Sequence, residues 1–147
     1  MRIALIAALF SFSMVLSAAE PFVGTWKLDV ARSTLLGNNK DVTSETMTIS
    51  KVGPNTFRTT TDEMLKSGKT RHAENSRVMD GREHSATGVG LTPGLIEISE
   101  QVDASTRKIT GKRDGKFLGE MTSTVSSDGK VMTNRWDTGQ VKIFQKQ

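Results

Sequence analysis

The amino-acid sequence predicts an all-β protein in which an antiparallel up-and-down meander closes into a β-barrel of about eight to ten strands. Three observations predict this fold class. Turn-forming pairs such as Asp114-Gly115 and Asp128-Gly129 recur at short intervals, and Asp-Gly is a strong hairpin signal. The segments between the turns are rich in Thr, Val, Ile and Ser, which favour extended structure. No window carries a sustained helical period.

The candidate strands follow one another along the chain between these turns. They cover residues 22–29, 42–52, 56–65, 70–79, 82–86, 95–102, 107–113, 116–126, 131–136 and 140–146. Alternation supports several of them; Met47 and Ile49, for example, share one face of their strand. A two-sheet sandwich is the main alternative, but sandwiches usually need long crossover connections, and only residues 37–41 and 87–94 are long enough for one. The barrel is favoured because closure removes unpaired strand edges.

Residues 1–19 predict a secretory signal peptide. Arg2 precedes an uncharged, largely apolar run that ends at Ala19, and Ser17 and Ala19 are the small residues that a signal peptidase site requires. We therefore expect cleavage after Ala19, a single domain over residues 20–147, and a periplasmic or secreted location. The alternative is a retained anchor, but the run is short for a membrane span, and we expect no stable membrane insertion after removal of the signal.

Composition narrows the possible functions. The chain has 20 Lys and Arg against 16 Asp and Glu, and it contains neither Cys nor Tyr. Absence of Cys excludes disulfides and thiolate chemistry, while interspersed charges and missing Tyr argue against a nucleic-acid surface. A basic run is interpreted as a solvated strand edge, with contact to an anionic lipid as the alternative. This run contains Arg107, Lys108, Lys112, Arg113 and Lys116.

No residue pattern indicates catalysis, a metal site or a cofactor. His72 and His84 have no partner at the spacing that zinc ligands usually show, and no nucleophile elbow is present. We therefore predict no catalytic residues, no metal and no cofactor. A site assembled in space from His72, Glu74 and His84 remains the alternative.

The stretch "FVGTWKLD", with Gly24 and Trp26, resembles the first-strand Gly-x-Trp signature of the calycin superfamily, which includes lipocalins and fatty-acid-binding proteins. Together with "RVMDGREHSATG" and "SSDGKVMT", it is similar to small exported bacterial proteins described as lipocalin-like. The resemblance implies a lipocalin-like barrel in which Trp26 packs across the closed end and an open mouth leads to a ligand cavity. The Thr-Asp-Tyr and Arg-x-Tyr motifs of known subfamilies require Tyr, so the ligand class does not carry over.

Four residues are candidate ligand contacts in the barrel interior: Met47, Phe57, Met121 and Arg135. Methionine adapts to varied ligands, although ordinary core packing explains Met47 and Met121 nearly as well. Arg135 has three possible positions: stacked on Trp26, facing a ligand carboxylate, or solvated on the outer face.

The leading functional hypothesis is an exported, non-catalytic binding protein whose partner is a small hydrophobic or amphipathic molecule. Two alternatives stay open: a filled barrel that acts as an envelope interaction or structural protein, and a small barrel cyclase or isomerase. The sequence makes no prediction about oligomeric state.

Overall fold

The computed structural model describes residues 20–147, which form eleven β-strands and two short 3-10 turns, Val30–Arg32 and Gly37–Asn39. The strands are β1 (Gly24–Leu28), β2 (Val42–Lys51), β3 (Thr56–Leu65), β4 (Thr70–Val78), β5 (Asp80–Ser85), β6 (Thr87–Val89), β7 (Ile96–Asp103), β8 (Thr106–Arg113), β9 (Lys116–Val125), β10 (Val131–Trp136) and β11 (Val141–Lys146). Among these residues there is no helix of the length and apolarity needed to cross a membrane. The predicted signal peptide, residues 1–19, lies outside the described part of the chain.

All strands belong to one antiparallel sheet that forms a nearly closed barrel. Their order is β5-β7-β8-β9-β10-β11-β1-β2-β3-β4-β6. The first strand joins the two halves of the chain, because Trp26 pairs with Met47 of β2 on one side and with Lys146 of β11 on the other. The all-β class and the antiparallel meander are therefore as predicted.

The strand count differs from the predicted eight to ten because the connection over residues 87–94 contains β6. This short strand pairs with β4, with Thr87 opposite Ser76 and Gly88 opposite Asn75. Gly88 has a φ of 152°, and a Cβ there would lie 1.8 Å from the carbonyl oxygen of Glu74. The close approach of the two backbones thus requires glycine at this position. The glycines of residues 87–94 are also the reason why the sequence predicts a connection here and not a strand.

The barrel is incomplete between its edge strands β5 and β6, and side chains connect the two flanking strands there. The carboxylate of Glu97 on β7 accepts a hydrogen bond from Asn75 Nδ2 on β4 at 2.9 Å. It also accepts two from Arg77, at 3.1 Å from Nε and 3.0 Å from Nη2. Charge-assisted side-chain bonds therefore hold β4 and β7 together where backbone pairing is missing.

Aromatic side chains fill one end of the barrel, which we call the packed end. Trp26 and Phe144 are completely buried, and Phe22 is 1% exposed. The indole Nε1 of Trp26 donates a hydrogen bond to the carbonyl oxygen of Phe22 at 2.9 Å, which fixes the segment that precedes β1 across this end. The cation over the Trp26 ring is Lys146, whose Nζ lies 5.0 Å from the ring centroid. The turns β2–β3, β7–β8 and β9–β10 lie at the packed end, and the opposite end is called the open end.

We predict that Trp26→Ala lowers the free energy of unfolding by about 3–5 kcal/mol, because it removes a fully buried aromatic ring and its hydrogen bond. Urea unfolding followed by circular dichroism measures the change. Lys27→Ala is the matched control, since Lys27 is the exposed neighbour on the same strand and its loss should change stability by less than about 0.5 kcal/mol. Equal effects of the two substitutions would contradict a structural role for the indole.

Candidate ligand-binding cavity

A cavity of about 600 Å³ lies inside the barrel between the packed end and the open end. It exists because successive side chains of a strand point to opposite faces, so every second residue of each strand faces inward. The apolar part of its wall is formed mainly by Met47, Ile49, Ile109, Met121, Met132 and Trp136. Charged side chains also line it, namely Glu45, Glu63, Arg71, Arg77, Arg107 and Lys142.

The four candidate contacts named from the sequence have different positions. Met47 and Met121 line the cavity, whereas Phe57 is buried in the packed end at 5% exposure. Arg135 is exposed on the outer face of β10, because it lies between the inward-facing Asn134 and Trp136. It therefore neither covers Trp26 nor faces the interior. Ligand contact by the two methionines stays a prediction.

A buried ion network crosses the interior towards the open end. Lys142 Nζ on β11 lies 2.5 Å from Glu45 Oε2 on β2 and 3.2 Å from Glu63 Oε1 on β3. The guanidinium of Arg71 on β4 contacts the second oxygen of Glu63, with 2.7 Å from Nε to Oε2. Arg71 also reaches Asn39 in the segment between β1 and β2. Two cations and two carboxylates are thus matched in one network.

The pKa values of the two carboxyl groups in this network are shifted in opposite directions. Burial raises the pKa of Glu45, and the attraction of Lys142 offsets only part of that effect. Burial also disfavours ionisation of Glu63, but Lys142 and Arg71 outweigh it and hold the pKa of Glu63 below its usual value. Glu63 is therefore the firmly ionised member.

Arg107 on β8 is a charged residue at the packed end of the cavity. It is 4% exposed, and its guanidinium carbon lies 4.1 Å from the ring centroid of Phe22 and 3.9 Å from that of Phe57. Its Nε donates a hydrogen bond to Gln101 Oε1 at 2.7 Å. Within residues 20–147, Nη2 has no hydrogen-bond partner. The side chain is therefore fixed by stacking and by one bond, with part of its fork unsatisfied.

Burial lowers the pKa of Arg107 to about 10; Glu20 acts to raise it and Arg77 acts to lower it. The guanidinium consequently remains a cation at neutral pH. Its desolvation is unfavourable, and no carboxylate of the described chain forms an ion pair with it. Cation–π stacking with two rings offsets part of this cost.

Sequence reasoning missed the charged interior residues, although a signal for them exists. Arg107 is two residues before Ile109 and therefore lies on the same face of its strand. In the same way, Lys142 lies on the face of Phe144. Glu45 lies on the face of Met47. A charged residue in phase with an apolar face indicates an interior charge.

Neither histidine belongs to a group of metal-ligating side chains in the described chain. His72 Nδ1 lies 2.7 Å from Asp62 at the exposed rim, and His84 Nε2 lies 3.0 Å from Asp80. Glu74 faces outward and pairs with Arg58. Among residues 20–147, no three His, Asp or Glu side chains are placed to hold a metal ion.

Comparison with known proteins identifies the fold of this chain but not a family. No protein-family model and no curated protein matches the sequence. Two similar solved structures are those of the fluorescent protein UnaG and of a mutant of UnaG. The wild-type structure has a TM-score of 0.60 and 19% identity over 87% of this chain and 98% of UnaG, and the mutant has 0.59 and 18% over 87% and 97%. The chain therefore shares its fold, an antiparallel and nearly closed β-barrel, with these structures.

We predict that Lys142→Met destabilises the protein by about 3–5 kcal/mol at pH 7, because Glu45 and Glu63 lose the cation that compensates them. Without Lys142 the folded-state pKa of Glu45 rises further above its unfolded value, and Glu63 keeps only Arg71 as a counter-charge, so the folded variant binds protons more tightly than the folded wild type. Its stability deficit relative to wild type should therefore shrink as the pH falls from 7 to about 4. Urea unfolding at several pH values measures this.

The matched control is Lys66→Met, since Lys66 forms an exposed pair with Asp41 at 3.4 Å. Its loss should change stability by less than about 1 kcal/mol at any pH. A deficit of Lys142→Met that is constant with pH would contradict the assigned compensation.

Proposed function

We propose that this protein is an exported, non-catalytic binding protein for a small hydrophobic or amphipathic molecule held in the barrel. The cavity of about 600 Å³ is the observation that carries the proposal. Small-molecule sites commonly measure about 300–1,000 Å³ and combine apolar walls with a few polar groups. The wall here has that composition, with apolar side chains in the middle and charges at both ends.

The methionines of the wall suit a flexible apolar guest. Met47, Met121 and Met132 approach the cavity from three different strands. Unbranched thioether side chains adapt their shape to irregular surfaces, so a methionine-rich wall accepts ligands of varied outline. This property supports binding of an elongated or irregular apolar molecule.

The alternatives have less support. A filled structural barrel would have an interior without a cavity above roughly 300 Å³, and the cavity observed is larger. A cyclase or isomerase would be favoured by His72, Glu74 and an arginine meeting inside one cavity. His72 does border the cavity, but its side chain is half exposed and pairs with Asp62, and Glu74 pairs with Arg58 on the outer face.

We predict that the purified protein takes up N-phenylnaphthylamine, a neutral lipophilic dye, with saturable fluorescence enhancement, and that Ala73→Trp weakens uptake at least about tenfold. Ala73 lines the cavity, so a large side chain there occupies the space of the guest. Fluorescence titration measures the dissociation constant, and native mass spectrometry identifies any molecule that copurifies.

Thr124→Trp is the matched control. Thr124 is exposed on the outer face of β9, so this substitution adds the same side chain outside the barrel. It should leave dye affinity unchanged. If wild type shows neither saturable uptake nor a copurifying molecule, the proposed function is wrong.

The proposal of export is supported by the apolar leader and by the position of the first packed residue. Phe22, three residues after Ala19, is already buried against Trp26. We predict that the full chain, produced in a bacterium, accumulates outside the cytoplasm with Glu20 as its first residue. Cell fractionation and N-terminal sequencing test this, with a chain lacking residues 2–19 as the control that should remain cytoplasmic. An uncleaved chain in the cytoplasmic fraction would contradict export.

A further inference from the structure

The hairpin between β8 and β9 presents two cations that the rest of the described chain does not use. In the basic run of the sequence, Arg107 lines the cavity, and Lys108 and Lys112 each form an ion pair with a glutamate of a neighbouring strand. Arg113 and Lys116 are exposed, lie opposite each other beside the turn, and form no ion pair among residues 20–147. These two cations are therefore available for contacts outside the chain.

Two large apolar side chains follow on the same hairpin. Phe117 is 59% exposed and Leu118 is 49% exposed. The other large apolar side chains that are exposed on the described chain, for example Val52 and Val102, have no such neighbour in sequence. A single exposed apolar side chain is ordinary, whereas two adjacent ones form a patch that water solvates unfavourably. The hairpin thus combines an apolar patch with unpaired positive charge.

A β-bulge explains why consecutive residues are both exposed. In a regular strand, neighbouring side chains point to opposite faces of the sheet. Gly111 of β8 pairs with Gly119 of β9. The next residue of β8, Lys112, pairs with Phe117, so Leu118 is the extra residue of β9. A bulge interrupts the alternation and redirects side chains, and here it leaves Phe117 and Leu118 accessible together.

The hairpin lies at the open end of the barrel. The turn between β7 and β8 lies at the packed end, and β8 runs from there to the opposite end. Its turn residues, Asp114 and Gly115, have φ values of 51° and 72°, as a tight two-residue hairpin turn requires. A turn this short adds no further residues beyond the strand ends. The flanking cations and the apolar patch are therefore presented at the tip, away from the buried aromatic side chains.

We propose that the tip of this hairpin, residues 113–118, docks the protein on an anionic lipid membrane. Arg113 and Lys116 contact the lipid phosphate groups, while Phe117 and Leu118 enter the boundary between headgroups and acyl chains. The composition of the tip identifies this partner. Two cations beside the single carboxylate of Asp114 match a negatively charged surface, and the apolar side chains match the hydrocarbon beneath its headgroups. The proposal concerns the outer surface of the barrel and is independent of what the cavity holds.

Flotation with lipid vesicles tests the proposal on residues 20–147. These residues contain all eleven strands and the hydrophobic core and so fold as one unit, whereas the apolar run of residues 1–19 would bind lipid by itself. We expect binding to vesicles of equal parts phosphatidylglycerol and phosphatidylcholine to be roughly tenfold stronger than binding to phosphatidylcholine alone. Equal binding to both vesicles, or binding to neither, would overturn the proposal.

Phe117→Ser combined with Leu118→Ser removes the apolar part of the tip. The partition coefficient for the anionic vesicles should fall at least about tenfold, because two apolar side chains no longer leave water on binding. Val52→Ser combined with Val102→Ser is the matched control, since these residues are similarly exposed and lie beside turns of the packed end. The control should bind as wild type does. Equal losses in the two variants would contradict docking through the hairpin.

Arg113→Gln combined with Lys116→Gln removes the unpaired charges. This variant should bind anionic vesicles no more strongly than neutral ones, and its affinity for neutral vesicles should equal that of wild type. Lys27→Gln combined with Lys130→Gln changes the net charge equally at exposed positions outside the hairpin and should preserve the preference for anionic vesicles. The same weakening in both variants would show attraction by overall charge and would overturn the assignment to this tip.

Two further measurements distinguish membrane docking from other uses of the patch. If wild type without lipid sediments as a dimer and the Phe117→Ser, Leu118→Ser variant does not, the patch joins two copies of the chain and the proposal is wrong. Ala73→Trp, which occupies the cavity, should bind vesicles as wild type does; a loss would show extraction of single lipids into the cavity and overturn docking. Vesicle binding is measured without the dye, so failure of docking and failure of the proposed ligand binding are observed separately.

Discussion

Closure of the sheet by β1 is the constraint on which the rest of the structure depends. This strand of five residues is hydrogen-bonded to β2 on one side and to β11, at the other end of the chain, on the other. Bringing chain ends together is entropically unfavourable, so closure needs stabilising contacts of its own. The burial of Phe22, Trp26 and Phe144 provides them. A wall that encloses a cavity exists only because these contacts hold the two halves of the chain together.

Strand alternation then decides what fills the enclosed space. Once the sheet closes, every second residue of each strand is directed inward regardless of its polarity, so the charged residues of these positions lie in a medium of low dielectric. Lys142 is neutralised by Glu45 and Glu63, and Glu97 on β7 pairs with Arg77 on β4. These ion pairs therefore also hold the sheet together, because each pair connects different strands and the Arg77–Glu97 pair bridges the gap in the barrel.

The sequence predicts the strands well because turn chemistry is local. Asp114-Gly115 lies in the turn between β8 and β9, and Asp128-Gly129 lies in the turn between β9 and β10, as expected for Asp-Gly turns. Strand β6 could not be predicted in this way, since its pairing depends on the approach of a distant backbone to Gly88. The interior charges were missed for a related reason. Arg107 belongs to a run of basic residues that resembles a solvated edge, and only its phase relative to Ile109 distinguishes it from the exposed Lys116.

The packed end combines fully buried aromatic side chains with a desolvated cation, and the two are physically related. A guanidinium can remain buried beside a cavity only where rigid apolar neighbours prevent it from turning to water, and Phe22 and Phe57 are such neighbours. An internal cavity and an unpaired cation both reduce stability, which for a domain of this size is a small difference between large terms. Under the proposed binding function, a guest that fills the cavity would bind the folded state alone, so its binding energy would add to the stability of the barrel.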